Sequence, residues 1–102
     1  MDRPSVTSVA EAMSANDMVG RLAISRSGRD AGSTYLVVAV EGPTVVFVAD
    51  GRARSVARPK RKNVKHLELG VLVPHCAERI ASGQALTDEE VRAAIATAVV
   101  SG

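Results

Sequence analysis

Thr34-Tyr-Leu-Val-Val-Ala-Val-Glu-Gly-Pro-Thr-Val-Val-Phe-Val-Ala-Asp-Gly51 decides the fold class. Thr34 to Val40 is an unbroken run rich in Val, the pattern of a central strand covered on both faces. Glu41-Gly-Pro-Thr44 is a turn, because Pro43 fixes φ and has no N–H to give to a ladder. Thr44 to Ala49 is a second β-branched run, and Asp50-Gly51 suits the left-handed φ values of a tight hairpin turn. Upstream, Arg21-Leu-Ala-Ile-Ser25 puts Leu22 and Ile24 on one face and Arg21 and Ser25 on the other, the period of a half-buried strand. Ser27 to Ser33 is a loop by composition. Downstream, the pattern predicts a returning strand over Arg52 to Arg58, with Arg52, Arg54, Val56 and Arg58 sharing one face and Pro59 ending it. Val64 to Leu69 is a candidate last strand. Four or five short strands in about fifty residues suggest a mainly β fold, a small closed or nearly closed barrel. Closure also protects edges that are this apolar.

The flanks differ in character. Thr87-Asp-Glu-Glu90 is a capping box, and Val91, Ile95, Ala98 and Val99 follow at helical spacing. Pro74 to Ala81 predicts a preceding short helix with Cys76 and Ile80 on one face, ended by Ser82-Gly83. At the other end, Ser8 with Glu11 could cap a short helix carrying Val9, Ala12 and Met13, although a segment this short is not stable alone. The expected organisation is an N-terminal extension over 1–18, either flexible or a short helix, a barrel over 19–69 and a C-terminal helical segment over 70–102. Met18, directly before the strand pattern, is a candidate natural start.

The chain has 102 residues, of which 46% are apolar and 2% aromatic. That length suits one small domain burying about 60–65% of its unfolded surface, with room for a binding module and little for a cleft enzyme. No apolar run approaches the roughly 20 residues of a membrane helix. The residues before Val19 carry Asp2, Glu11 and Asp17 without an apolar stretch, unlike a secretory signal. The single cysteine, Cys76, leaves no internal disulfide and fits a reducing, cytoplasmic setting.

A net charge of +2 conceals an asymmetry. Residues 1–20 carry one basic and three acidic side chains, residues 21–66 ten and three, and residues 67–102 two and five. Gly51 to Leu67 holds Arg52, Arg54, Arg58, Lys60, Arg61, Lys62 and Lys65 and no acid. Such a run either meets a polyanion or stays in water. Arg grips phosphate with two parallel bonds and Lys acts as a point charge, so the run fits neutralisation of several phosphates. The bland alternative is a solvated loop or a localisation-type signal. Arg26 and Arg29 project from the Gly28–Gly32 loop, whose plain reading is a hairpin turn with solvated arginines.

Enzyme constellations are thin. Gly28 and Gly32 lack the spacing and the Lys of a phosphate-binding loop, which excludes nucleotide hydrolysis of that type. His75 and Cys76 are helix neighbours pointing about 100° apart, so Cys76 reads as a buried structural thiol rather than a nucleophile. Zinc wants four ligands, and His66, His75 and Cys76 with a carboxylate make a poor set. Asp88-Glu89-Glu90 is already explained by the helix cap. Tyr35 and Phe47 are the only rings and sit in strand patterns, which disfavours base stacking and methyl-lysine cages. No catalytic residue, metal, cofactor or small-molecule substrate is expected.

Val19-Gly-Arg-Leu-Ala-Ile-Ser-Arg-Ser-Gly-Arg-Asp-Ala-Gly32 resembles the start of a KOW motif, the strand–loop–strand unit of several ribosomal proteins and of NusG-type transcription factors. With Asp50-Gly51 and Pro59-Lys-x-Lys-x-x-Lys-His-Leu67 added, the pattern is similar to the KOW-domain RNA-binding proteins, akin to a large-subunit ribosomal protein family best known from archaea and eukaryotes. The resemblance spans Val19 to Leu69, extends loosely to Leu86–Val91, and leaves the N-terminal segment uncovered. It implies an SH3-like barrel that binds structured, in the first instance ribosomal, RNA and has no catalytic role. Gly32 would be the motif glycine. The RNA face would be built from Arg26, Ser27, Gly28, Arg29 and Gly32 of the loop together with Arg52, Arg54, Arg58, Lys60, Arg61, Lys62, Lys65 and His66. His66 would donate to a phosphate or cap the strand. The alternative implied by the transcription factors is a barrel that docks on ribosomal or transcription proteins.

Overall fold

The β-branched runs form an antiparallel sheet in the computed structural model, which describes residues 15–101 and the side chains of residues 17–97. Among the described residues there are five strands: β1 (Arg21–Ser25), β2 (Thr34–Val40), β3 (Val45–Ala49), β4 (Lys60–Asn63) and β5 (Leu67–Leu72). Their order is β4-β3-β2-β1-β5. A single helical turn, α1 (Ala15–Met18), leads into β1, and a 3-10 turn (Val64–His66) joins β4 to β5. Two helices follow, α2 (Pro74–Ala81) and α3 (Asp88–Ser101). None of the helices described is long and apolar enough to cross a membrane. The expected cap at Ser8 and Glu11, with Val9, Ala12 and Met13, lies outside the described residues, as do the side chains of Ala98 and Val99.

Both faces of the sheet are buried. One carries Met18, Ala23, Tyr35, Val37, Val46, Val48 and Leu67. Among the described residues the cluster is filled by Met18 and the sheet itself: Val46 and Val48 of β3 meet Ala23 of β1 and Leu67 of β5, so the sheet curls over its own face. Register shifts between Arg21 and Ala23 and between Val37 and Ala39 assist the bending. The other face carries Leu22 and Leu36 under Cys76, Leu86 and Val91 from the helical segment. β2 is therefore the central, doubly covered strand that its unbroken apolar run requires. β1 keeps the expected alternation of faces but not the expected burial: Ser25 and Ala23 are buried, while Ile24 lies 42% exposed.

The sheet is not closed, contrary to the stronger form of the barrel expectation. Among the described residues β4 and β5 are its edges, paired with β3 and β1 respectively. The 3-10 turn spans the gap, held at one end by Val64 N–H to the Thr44 carbonyl at 2.8 Å and at the other by Arg26 N–H to the His66 carbonyl at 2.8 Å. That turn also corrects the expected strand over Val64 to Leu69, since extended pairing begins only at Leu67.

The expected strand over Arg52 to Arg58 does not form, so Arg52, Arg54, Val56 and Arg58 share no sheet face. Asp50 and Gly51 N–H both donate to the Arg54 carbonyl at 3.0 Å, and Asp50 Oδ1 accepts from the N–H groups of Arg52 and Arg54 at 2.8 and 2.9 Å. Val56 N–H donates to Asp88 Oδ1 of α3 at 2.7 Å. The polar groups that a strand would give to β3 are thus engaged elsewhere. Pro59 precedes a strand instead of ending one.

The helical segment follows its sequence signals. α2 runs from Pro74, buries Cys76, half-buries Ile80 and stops at Ser82-Gly83. α3 begins with the reciprocal capping box: Glu90 N–H donates to Thr87 Oγ1 at 3.1 Å, and Thr87 N–H donates to Glu90 Oε1 at 2.9 Å. A cap of this kind stabilises a helix by about 1 kcal/mol. Val91 is fully buried on the sheet and Ile95 half-buried beside it.

Candidate functional site

In an antiparallel meander alternate connections leave the same end of the sheet. The β1–β2 loop, with Arg26 and Arg29, and the β3–β4 loop, with Arg52, Arg54 and Arg58, therefore emerge together. The mouth of the first loop is closed by Gly32 N–H to the Ser25 carbonyl at 2.7 Å and by Ser25 N–H to the Ser33 carbonyl at 2.9 Å. Gly28 and Gly32 sit at φ +88° and +92°, which L side chains rarely adopt.

Asp30 organises this end of the molecule. Its Oδ1 accepts from Ser25 Oγ at 2.8 Å and Lys62 Nζ at 2.9 Å. Its Oδ2 accepts from the Tyr35 hydroxyl at 2.7 Å and Lys60 Nζ at 2.9 Å. Donors from β1, β2 and β4 thus meet on one carboxylate that is 13% exposed. Burial by itself would raise the Asp30 pKa, but donation by Lys60, Tyr35, Lys62 and Ser25 outweighs it and holds the carboxyl well below the usual range. Tyr35 is pushed up to about 12 by burial and by the adjacent Asp30.

Strand alternation explains why two lysines of the basic run turn inward. Lys60 and Lys62 register with Val48 and Val46, both in the curled core, whereas Arg61 registers with Phe47 on the other face. The lysine stems cover apolar surface while the ammonium groups reach Asp30. Lys62 also donates to the Ser27 carbonyl at 3.3 Å and is only 10% exposed; Lys60 is 29% exposed.

The β3–β4 loop is fixed from behind by α3. Besides the Asp88 contact, Arg92 donates to the Gly51 carbonyl at 2.6 Å. Gly51 has φ +77°, and a Cβ there would lie 2.5 Å from the Asp88 carbonyl oxygen. The 3-10 turn completes the cluster. Asn63 Oδ1 caps it by accepting from Lys65 N–H at 2.9 Å, and the Ser27 hydroxyl and His66 Nδ1 share a 2.9 Å hydrogen bond whose direction depends on the imidazole tautomer.

Three segments carrying the expected site residues therefore converge. Arg26, Gly28, Arg29, Gly32, Arg52, Arg54, Arg58, Arg61 and Lys65 are exposed, Ser27 and His66 are half-buried, and Lys60 and Lys62 form the clamp. Arg26 pairs with Glu68 at 3.7 Å and Arg61 with Glu41 at 3.0 Å, both exposed pairs that salt screens. Among the described residues, Arg29, Arg52, Arg54, Arg58 and Lys65 have no ion pair. The acids of the C-terminal segment do not occupy these guanidinium groups: Asp88 holds a backbone N–H, and Glu90 holds His75 and Arg79. Sequence reading missed Asp30, Ser25 and Tyr35 as members of the site. The available signal was a lone acid within a cationic loop.

His75 and Cys76 diverge as helix neighbours should. His75 is exposed and meets Glu90 at 2.9 Å, while Cys76 is buried and its thiol pKa is raised by burial and by Glu90. The chain matches no protein-family model.

Proposed function

We propose that this is a non-catalytic RNA-binding protein with an SH3-like (KOW) barrel, gripping structured RNA, in the first instance ribosomal RNA, by its phosphates in the cytoplasm. Arg26, Arg29, Arg52, Arg54, Arg58 and Lys65 supply the charge. Gly28 and Gly32 let the backbone come close to the ligand, and no metal, cofactor or small-molecule substrate takes part. The observation that carries the reading is the convergence of the β1–β2 loop, the β3–β4 loop and the 3-10 turn, which places six exposed cations on three mutually braced segments. The curled sheet, with its two edge strands joined through one 3-10 turn, supports the nearly closed barrel. The test is binding of the full chain to a fully paired RNA hairpin across a salt series. Five or six phosphate contacts to a duplex give a log–log slope of about −5, and a slope near zero refutes the assignment.

A second reading, a barrel that docks on ribosomal or transcription proteins, draws on a different surface. Val71 and Leu72 are 62% and 43% exposed at the β5 edge, beside an apolar groove between β5 and helices α2 and α3. A pull-down separates the two: partners that survive ribonuclease favour docking, and partners lost with it favour RNA.

A further inference from the structure

We infer that Asp30 is the positioning residue of the RNA-binding end, and that Lys60 and Lys62 are its struts and not phosphate ligands. The inference rests on the RNA-binding reading and deepens it, because it divides the cationic run into two populations with different work.

The β1–β2 loop is tied to the 3-10 turn by Arg26 N–H to the His66 carbonyl and by the Ser27–His66 bond, neither of which reaches β4. Its internal hydrogen bonds close the mouth and form the turns, but they do not attach the loop to β4 on the far edge of the sheet. Asp30 makes that attachment, through 2.9 Å contacts to both Lys60 and Lys62. The Lys62 bond to the Ser27 carbonyl adds to it on the same side. Arg26 and Arg29 lie four residues and one residue before Asp30, and Arg58 lies two residues before Lys60. Holding Asp30 on β4 therefore sets the distance between the arginines of one loop and those of the other. A preorganised spacing favours binding because less ordering remains to be done when the ligand arrives.

The lysines are poor phosphate ligands for the same geometric reason. Each ammonium is already turned to a carboxylate inside the curl. An RNA phosphate would have to break a bond that a charged, largely enclosed partner strengthens. Arg61, between them, faces the other way.

Charge and geometry predict opposite signs for Asp30→Asn. Removing a negative charge from a cationic surface tightens RNA binding if only net charge matters. Loss of the clamp weakens it, by roughly fivefold or more, if positioning matters. The experiment uses the full chain and the paired RNA hairpin. Asp30→Asn and Lys62→Met are compared with wild type for affinity and for salt slope, and backbone amide exchange is followed at Gly32 and Ser33. Weaker binding by Asp30→Asn, faster loop exchange, and an unchanged slope for Lys62→Met are expected. Tighter binding, unchanged loop exchange, or a slope reduced by about 0.7–0.9 in Lys62→Met overturns the inference. If Asp30→Asn does not fold, the Lys62→Met slope decides. If wild type has no salt slope, the RNA reading fails, and exchange at Gly32 and Ser33 still judges the clamp.

Discussion

The Lys62 ammonium donates to Asp30 Oδ1 across 2.9 Å, joining a loop residue and an edge-strand residue thirty-two positions apart. The lysine stem lies in register with buried Val46, so the bond forms at the rim of the curled core. One carboxylate in this way fastens the sheet's open side and fixes the loop that bears Arg26 and Arg29.

Tyr35 reports on this arrangement without a label, since it is the one tyrosine in a chain that has no tryptophan. Its hydroxyl is pushed up to about 12 in the folded protein. A raised folded value means that its contribution to stability is complete below about pH 10, the unfolded value, and is lost as pH rises through about 12. Ultraviolet titration of phenolate formation should show the elevated value in wild type. In Asp30→Asn it should fall back toward about 10. An identical titration in both would place Tyr35 outside the influence of Asp30.

Acid stability carries the opposite sign. Asp30 is held below the ordinary carboxylate range, so its stabilisation is fully present above about pH 4–5. It is lost progressively as the pH falls from there through the folded value. At neutral pH, Asp30→Asn should cost about 2–3 kcal/mol, in line with removing a charged hydrogen-bond centre that is mostly enclosed. The gap between variant and wild type in denaturant melts should narrow below about pH 4. A gap that stays constant down to low pH would assign the loss to something other than the carboxylate charge.

Gly51 is where α3 touches the β3–β4 loop. Gly51→Ala introduces a left-handed strain at φ +77° and sets a methyl 2.5 Å from the Asp88 carbonyl oxygen. Destabilisation should exceed about 1 kcal/mol, a fall in thermal midpoint of at least about 4–8 °C for a domain of this size. A midpoint within a degree of wild type would mean that the helix can move off the loop without cost.

The readable parts of the sequence were those whose causes are local. The Val-rich run of β2, the reciprocal cap at Thr87 and Glu90, and the helix carrying Cys76 each follow from residues within a few positions of one another. The stretch from Arg52 to Arg58 was not readable, because Asp88, far along the chain, takes the Val56 N–H and Asp50 folds the backbone on itself. Nor did the basic run disclose its division into inner and outer charges. That follows from period-two alternation over a strand whose start, Lys60, was displaced by the missing strand before it. Asp30 was visible as a lone acid just after Arg26 and Arg29, but its donors come from three strands that only the folded sheet assembles.

Exposed arginines and clamp lysines should separate in function. Arg29→Gln and Arg54→Gln, both exposed and without an ion pair among the described residues, should each lower the salt slope by about 0.7–0.9. Their effect on stability should stay within about 0.5 kcal/mol. Isothermal melts and fluorescence anisotropy on the same samples supply both numbers. Loss of stability with an unchanged slope would exchange the roles assigned to the arginines and the lysines.

The central claim is that RNA contacts the end of the sheet where the two loops and the 3-10 turn meet. Chemical-shift mapping of the isotope-labelled full chain against the paired RNA hairpin tests it most directly. The largest perturbations should fall on Arg26 to Gly32, Arg52 to Arg58 and Lys65 to His66. Perturbations centred on Val71, Leu72 and the groove beside α3, with those loops silent, would contradict it.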